Sequence, residues 1–579
     1  MSKYKTHEYD VLIIGSGGAG LRAAIAAKEK GAKTAIVCKC LLGKAHTVMA
    51  EGGIAAAMGS LDPDNWQTHF QNTMFGGKYV NDWRMTEIHS KESPDRVREL
   101  EQWGAVFDRT KDGKMLQRSF GGHTYRRLVH VGDRTGHEMI RALQDKVVSM
   151  GIDIYMEFMI SHLLLDDGRI AGAFGFFKDT GKFVVFNSKS VILATGGMGK
   201  IWRITTNSWD NTADGISLAY FAGAELKDME FVQFHPTGMV WPLGVKGLLV
   251  TEAVRGDGGL LTNNKGERFM EKYDPKLMEL STRDLVARAI NQEVREGRGT
   301  EHGGVYLNIS HKPSAYVKKK LPSMYDQFLE FADLDITKQP MEVGPTCHYM
   351  MGGVSVDPQT QMSTTDGLFA IGEIAAGLHG ANRLGGNSLS DLIVFGRRAG
   401  SAAADYAKGM KSLPIIDQKE IDEHKDWLFS FFETKSDCPP SLVHTKLQDI
   451  MERDVGLIRD DEGLKKVLSD LDSLSQQYKN TYLEGNLQYN FGWHIAISLK
   501  FMLITAKIVS RASLERKESR GALYRKDFPK AEEEWGGKSV VIKNKDGNMS
   551  VSTVPIQPMP SNLEDYIKKE KEEWLNKQK

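Results

Sequence analysis

The chain of 579 residues has little cysteine, no net charge and no long apolar run. Its four cysteines, Cys38, Cys40, Cys347 and Cys438, are too few and too scattered for a disulfide framework. Cys38 and Cys40 have no second pair with which to hold zinc, and no Cys-x-x-Cys-His stretch exists to attach a c-type heme. Four reduced thiols in a cytosolic compartment are therefore expected. Lysine plus arginine total 75, and so do aspartate plus glutamate, which argues against a nucleic-acid binder or a polybasic membrane anchor. No run reaches the ~18 apolar residues of a bilayer span, and the polar residues 1–10 do not look like a signal peptide. Any membrane association is expected to come through a partner. There is no internal repeat and no low-complexity segment.

Glycine is plentiful: 58 residues, above the usual share of about 7%, much of it in short GG and GxG clusters. One cluster, Gly15-Ser16-Gly17-Gly18-Ala19-Gly20, follows the apolar run at 11–14. Residues 21–30 then have the alanine and isoleucine spacing of a helix packed on a sheet, and 33–37 read as a second strand. This βαβ unit is the context in which such a loop holds a pyrophosphate. Gly15 permits the tight turn, Gly17 lets the backbone approach phosphate, and Gly20 lets helix pack on strand. The helix start offers free N–H groups to the anion. An acid usually ends the second strand and holds a ribose; Cys38, Lys39 and Cys40 stand there instead, so another polar group or the backbone is expected to do so. The second cluster, HGANRLGGNSLSD at 379–391, places Arg383 beside a helix start, where an anion and a redox ring can meet.

Two more buried-strand runs, 190–194 and 367–371, end in Thr195-Gly196-Gly197 and Gly372-Glu373, as strands do where their ends face a ligand. Asp166-Asp167-Gly168-Arg169 predicts a hairpin turn between 160–165 and 170–177. From about 240 to 343 the chain turns to mixed helices, charged turns and little strand alternation, the texture of an inserted cap. Residues 406–519 read as helical, with heptad-like apolar spacing at 442–457 and 493–508. A strand is expected at 539–542 and a charged, solvated helix at 561–579. The expected architecture is α/β: a Rossmann-like nucleotide-binding domain in two parts, 1–239 and 344–405, an α+β capping domain at 240–343, a helical domain at 406–519 and a small C-terminal region at 520–579.

Residues 43–53, GKAHTVMAEGG, read by composition as a flexible loop with one histidine. Yet His46-Thr47 followed by Glu51-Gly52-Gly53-Ile54 resembles the flavin-attachment segment of succinate dehydrogenase and fumarate reductase flavoproteins. The resemblance continues in order through Phe120-Gly121-Gly122-His123, Asp133-Arg134-Thr135-Gly136-His137, Gln233-Phe234-His235-Pro236-Thr237-Gly238, Thr251-Glu252, Arg255-Gly256, Gly266-Glu267-Arg268-Phe269-Met270, Arg283-Asp284, His348-Tyr349-Met350-Met351-Gly352-Gly353 and 379–391. It is strong over 8–405 and weaker through the helical region to Ser519-Arg520-Gly521-Ala522. It implies a Rossmann-like FAD-binding domain and FAD bonded covalently to His46 through the 8α-methyl carbon. Such a tie prevents flavin loss and raises its potential. Implied cofactor contacts are Gly15, Ser16, Gly17, Gly18, Ala19, Gly20, Lys39, His46, Thr47, Gly52, Gly53, Asp214, Glu373, Ser388 and Leu389. Ala213 stands where the family often has glycine. Ser388 and Leu389 open a helix whose positive end would stabilise the anion of reduced flavin, and a plain helix cap is the alternative for Ser388.

The resemblance also implies a four-carbon dicarboxylate. Such a dianion needs a donor or cationic cluster at each end and the redox ring against its middle. His235, Thr251, His348 and Arg383 are the implied carboxylate ligands, with bidentate Arg383 the strongest anchor. Oxidising succinate removes a hydride from one carbon and a proton from the next. The resemblance gives the proton to Arg283 and its relay to Glu252 and Arg255, which share a face if that segment is helical. Arginine is normally always protonated, so the site must favour transient loss and quick replacement of its proton. An ion pair with Asp284 or another neighbour is the alternative for Arg283.

L-aspartate oxidases share the fold and most carboxylate ligands, but they lack the flavin-linking histidine and carry glutamate where this chain has Phe120. Fumarate reductases share all of these residues; succinate oxidation is favoured because 241–255 and 342–353 look like those of respiratory succinate dehydrogenases. No cysteine cluster or other metal site is visible. Electrons are therefore expected to leave through an iron–sulfur subunit, and beyond it through membrane-anchor subunits that reach quinone. The chain is expected on the cytoplasmic side of the cell membrane, peripheral, with no nucleic-acid partner.

Overall fold

The computed structural model describes residues 4–434 and 436–568. The βαβ unit forms as strand Lys5–Ile14, helix Gly18–Glu29 and strand Thr34–Val37, the two strands pairing in parallel with Val11 opposite Thr34. Val11, Leu12 and Ile13 are fully buried, as a parallel strand covered on both faces requires. Strand Phe183–Leu193 pairs in parallel with the other edge of Lys5–Ile14. Its own far edge is shared: the first half pairs with antiparallel Arg169–Phe177, and residues 191–193 pair with parallel Leu368–Ala370. Asp153–Tyr155 extends the sheet beyond Thr34–Val37, and Phe158–Asp166 closes it as a hairpin with Arg169–Phe177. The hairpin turns on Asp167 (φ 50°) and Gly168 (φ 77°), the two left-handed residues such a turn needs.

Three parallel strands thus end side by side. Ala194 N donates to Ile14 O at 2.8 Å, and Ile371 N to Leu193 O at 3.0 Å. This is the carboxyl edge of the sheet, where open α/β sheets bind ligands. On one face, helix Asn387–Gly409 packs on helix Gly18–Glu29; a side-chain carbon at Gly400 would stand 2.2 Å from Ala23 O, so only glycine allows the approach. On the other face, Trp493 of helix Phe491–Glu515 stacks on Phe176 with ring centroids 4.1 Å apart. Each such fully buried apolar side chain contributes about 1.5–3 kcal/mol.

The helical region comprises Gln418–Glu433, Pro440–Asp454, Asp461–Lys479 and Phe491–Glu515. Val443, Leu447 and Met451, four apart, supply the buried stripe of the second. The cap holds a four-stranded antiparallel sheet in the order Val232–Met239, Met341–Met350, Val305–Asn308, Leu260–Thr262. Of its two long strands, Val232–Met239 ends at the expected border of 239 and Met341–Met350 crosses the one at 343, so only the short ones lie wholly inside. That explains the weak alternation of 240–343. Near the C-terminus, Lys538–Lys545 and Asn548–Pro555 form a hairpin that pairs onto Leu226–Lys227. Residues 561–568 are helical, and the rest of the helix expected to 579 lies outside the described residues. No helix among the described residues is long and apolar enough to cross a membrane.

Candidate active site

A cavity of about 1650 Å³, mouth included, opens at the carboxyl edge of the main sheet and reaches the first two strands of the cap. Its lining runs from the turn at Gly15 to His235 and Thr251 of the cap, a reach that suits a long cofactor plus a small substrate. Gly15 turns with φ 112°, and a side-chain carbon there would meet Ala194 O at 2.2 Å. Gly15, Ser16, Gly17, Gly18 and Ala19 line the cavity. Gly20 does not; a carbon on it would stand 2.0 Å from Gly15 O, so it sets the closeness of helix to turn. The helix start has no side-chain cap of its own, and Thr47 Oγ1 accepts only from Gly18 N at 3.3 Å. The remaining N–H groups are available to an anion.

Beyond the second strand, Lys39 donates to Asp214 Oδ2 at 2.7 Å, Thr212 Oγ1 at 2.8 Å and Ser498 Oγ at 3.0 Å. The lysine ties the cavity wall to helix Phe491–Glu515. Burial pushes the neighbouring Cys38 and Cys40 thiols up to about 11, so both stay uncharged. Asp214 opens a helix, Asp214–Phe221, and Ala213 before it sits at φ 63°, the left-handed conformation that glycine adopts most readily.

His46 begins the short turn His46–Met49 and faces the cavity with its ring centroid 6.4 Å from that of His348. Burial, with Arg383 and Lys200 nearby, lowers its pKa to about 4, so the imidazole is neutral. Phe120 packs where carbons on Gly52 and Gly385 would stand, 2.4 and 2.5 Å from the ring, and Gly53 turns at φ 133°. Leu389 and Ser388 line the cavity at the start of helix Asn387–Gly409. Ser388 makes no capping bond; its Oγ accepts from Arg383 Nη1 at 2.9 Å, so its hydroxyl orients the arginine. Glu373 Oε1 accepts from Met350 N at 3.1 Å, and burial raises the carboxyl to about 7.

The cap end of the cavity gathers His235, Thr251, Glu252, Arg283, His348 and Arg383. The rings of His235 and His348 lie 5.0 Å apart. Burial holds both well below the usual histidine pKa, aided by the neighbouring arginines and, for His348, by His235, so both are neutral N–H donors. Arg383 lies over the Tyr349 ring at 4.2 Å, and burial beside Arg283 lowers it to about 9. Thr251 caps helix Glu252–Gly256. Within that helix Glu252 Oε2 accepts from Arg283 Nε at 2.8 Å and stands 3.7 Å from Arg255 Nη2. Burial alone would raise Glu252; the Arg283 and Arg255 guanidiniums outweigh it and hold the carboxylate below its ordinary pKa. Arg255 sits behind Glu252 and does not line the cavity. Asp284 pairs with Arg288 at 3.0 Å, so the ion pair expected as the alternative for Arg283 goes to Glu252 instead.

Sequence reasoning missed several groups. Gln233 Oε1 accepts from both Arg283 Nη1 and Arg383 Nη2 at 3.2 Å, bridging the two arginines. Thr206 Oγ1 meets His348 Nδ1 at 2.9 Å. Glu51 lines the cavity and bonds Thr251, and burial near Asp133 keeps its carboxyl well above the ordinary pKa. Gln233, Tyr349 and Glu51 stood inside quoted motifs; Thr206 had no local signal at all.

These residues suit a flavin nucleotide. His46 Nδ1, Thr195 Oγ1 and Arg383 Nε are buried polar atoms without a hydrogen-bond partner among the described residues, and Thr195, His46 and Arg383 all border the cavity. The FAD binding domain family matches residues 10–389, and the family described as Fumarate reductase flavoprotein C-term matches residues 444–573. A fumarate reductase (CoM/CoB) subunit of Methanothermobacter marburgensis is 46% identical over 93% of this chain and 98% of its own. The succinate dehydrogenase flavoprotein subunit of Coxiella burnetii is 37% identical over 96% and 98%. The chain belongs to the succinate dehydrogenase and fumarate reductase flavoproteins. Mycobacterium smegmatis Sdh1, solved in complex with UQ1, superimposes on this flavoprotein with TM-score 0.87 at 52% identity, covering 96% of this chain and 95% of that one. FAD is therefore the flavoprotein's nucleotide, and the free N–H groups at the glycine turn and helix start fit its pyrophosphate.

Proposed function

We propose that the chain is the flavoprotein subunit of a succinate dehydrogenase, oxidising succinate to fumarate. The observation that carries this reading is the meeting, in one cavity, of the phosphate-binding turn, His46 and a cluster of neutral histidines and arginines. Arg283, Arg255 and Arg383 face one ionised carboxylate, Glu252, so this end has an excess of positive charge that suits a dianion. His348 and Arg383 grip one carboxylate of the substrate, and His235 and Thr251 the other. Gln233 and Ser388 hold the Arg383 guanidinium in orientation. FAD, when bound, supplies the two-electron hydride acceptor. Arg283 takes the proton that leaves the adjacent carbon, and Glu252 and Arg255 restore its protonation state. The neutral His46 imidazole keeps a lone pair free, which supports its role as the covalent 8α-histidyl attachment point. Lys39, Asp214 and Glu373 contact the cofactor along the rest of its length.

The Coxiella relative, named as one subunit of its enzyme, and the Mycobacterium structure in complex with UQ1 support an electron-accepting iron–sulfur subunit, with membrane-anchor subunits beyond it and the chain peripheral at the cytoplasmic face. The 46% relative named as a fumarate reductase makes the reverse reaction the second reading. Both are tested on purified protein. Succinate should bleach the flavin absorbance and aspartate should not; fumarate should restore it. A flavin that stays oxidised with succinate ends the reading. In the assembled complex, fumarate reduction outpacing succinate oxidation would favour the reverse direction.

A further inference from the structure

We propose that the proton relay reaches solvent through the Glu279 carboxylate, which the partly exposed Arg268 side chain pairs with just beneath the protein surface. The proposal rests on the reading of Arg283, Glu252 and Arg255 above and extends it outward. Arg255 is only 2% exposed, so a relay ending there would strand its proton. Arg255 Nη1 donates to the backbone oxygen of Glu279 at 2.5 Å, which presses the guanidinium against the turn Met278–Leu280. Its Nε and Nη2 have no hydrogen-bond acceptor among the described residues. Buried N–H groups are satisfied in folded proteins, by water where side chains do not reach. On the far side, the buried Glu279 carboxylate accepts from Arg268 Nε at 2.9 Å, Arg268 Nη2 at 2.6 Å and Leu261 N at 3.2 Å. The Arg268 side chain is 37% exposed. Acid–base groups therefore run in sequence from the cavity to the surface: Arg283, Glu252, Arg255, Glu279, Arg268.

In each oxidation Arg283 passes its own proton to the ionised Glu252 and takes one from the substrate carbon in exchange. The proton on Glu252 continues through Arg255 and a bridging water to Glu279, and from there past the exposed Arg268 side chain to solvent. Every group returns to its starting protonation state, and no electron follows this path. Reduction runs the same path inward. Glu279 and Arg268 are positioning and relay residues, since neither touches the substrate.

The test is Glu279→Gln, which keeps the shape and removes the proton-carrying oxygen. Its kcat should fall about ten- to a hundredfold, at the low end of what a proton-transfer group supplies. The solvent deuterium isotope effect on kcat should rise, and added imidazole should restore rate. Glu279→Asp should keep most activity. A wild-type rate, or a loss with unchanged isotope effect and no imidazole rescue, would overturn the proposal. A structure of the wild-type protein that orders water gives a second readout that does not depend on the variant folding. Water bonded to both Arg255 and the Glu279 carboxylate is expected, and a dry contact there contradicts the path. Failure of the underlying reading shows separately, as full activity in Glu252→Gln, and removes this proposal with it.

Discussion

Replacing Glu252 with glutamine separates anchoring from proton transfer. Glu252 is 2% exposed, 2.8 Å from Arg283 and 3.7 Å from Arg255. Glutamine can still accept from Gly121 N, which Glu252 Oε1 binds at 2.8 Å, so the local backbone is kept. What is lost is the only negative charge between two buried guanidiniums. Two unit charges about 4 Å apart interact by about 4 kcal/mol at an effective dielectric of 20, and breaking a buried pair costs about 3–5 kcal/mol. A stability loss of that order is expected in a thermal melt. The sign with pH follows from the depressed carboxyl. Its stabilisation is present above the ordinary carboxylate pKa and is lost as pH falls through the folded one, so the variant's deficit should shrink in acid. The kcat for succinate with an artificial electron acceptor should fall about 10²–10⁴-fold. Malonate, an unreactive dianion, should bind as well or better, because the deleted charge is negative. If kcat is unchanged, or if malonate affinity falls in step with kcat, Glu252 does not relay protons and the argument is wrong.

Gly15→Ala should abolish stable FAD retention, since the new carbon meets Ala194 O at 2.2 Å in a backbone at φ 112°; a flavin-loaded protein with a normal melting temperature would contradict this. Arg383→Gln should retain FAD but weaken malonate binding by about 3–5 kcal/mol, read by titration of the flavin spectrum, and intact affinity would remove Arg383 as anchor. In flavin-free protein, Glu373→Gln should raise the melting temperature at pH 8 and leave it unchanged at pH 5. The native carboxyl, raised to about 7 by burial, is protonated in the fold at pH 5 and is forced to ionise there as pH climbs, so native stability drops between roughly pH 5 and 7. Equal melting shifts at the two pH values would show that burial does not set this group's titration.

The parts of the molecule legible in the sequence are the local ones. The turn at Gly15–Gly20, the runs at 190–194 and 367–371 and the Asp167-Gly168 hairpin each carry their geometry within a few residues, and the structure forms them there. The proposed relay was legible only in its Glu252–Arg255 half, because those two are neighbours on one short helix. Its partner Arg283 comes from a different helix, 31 residues on, and only the fold decides that it pairs with Glu252 and not Asp284. Gln233 shows the limit most clearly. Its amide bridges Arg283 and Arg383, 50 and 150 residues away, and nothing about a glutamine in a strand announces that. The cap sheet was missed for a related reason: two of its strands lie at the insertion's borders and pair across more than a hundred intervening residues. Lys39 is the same case, bonded across 459 residues to Ser498.

The most direct test of the whole account is the state of the flavin after denaturation. Purified protein run on a denaturing gel should fluoresce under ultraviolet light at the chain's mass, and digestion should yield one peptide containing His46 that carries the mass of FAD. The His46→Ser protein should bind FAD and release all of it to acid. A wild-type chain that gives up its flavin on denaturation, or a flavin mass on any peptide other than that of His46, would contradict the account.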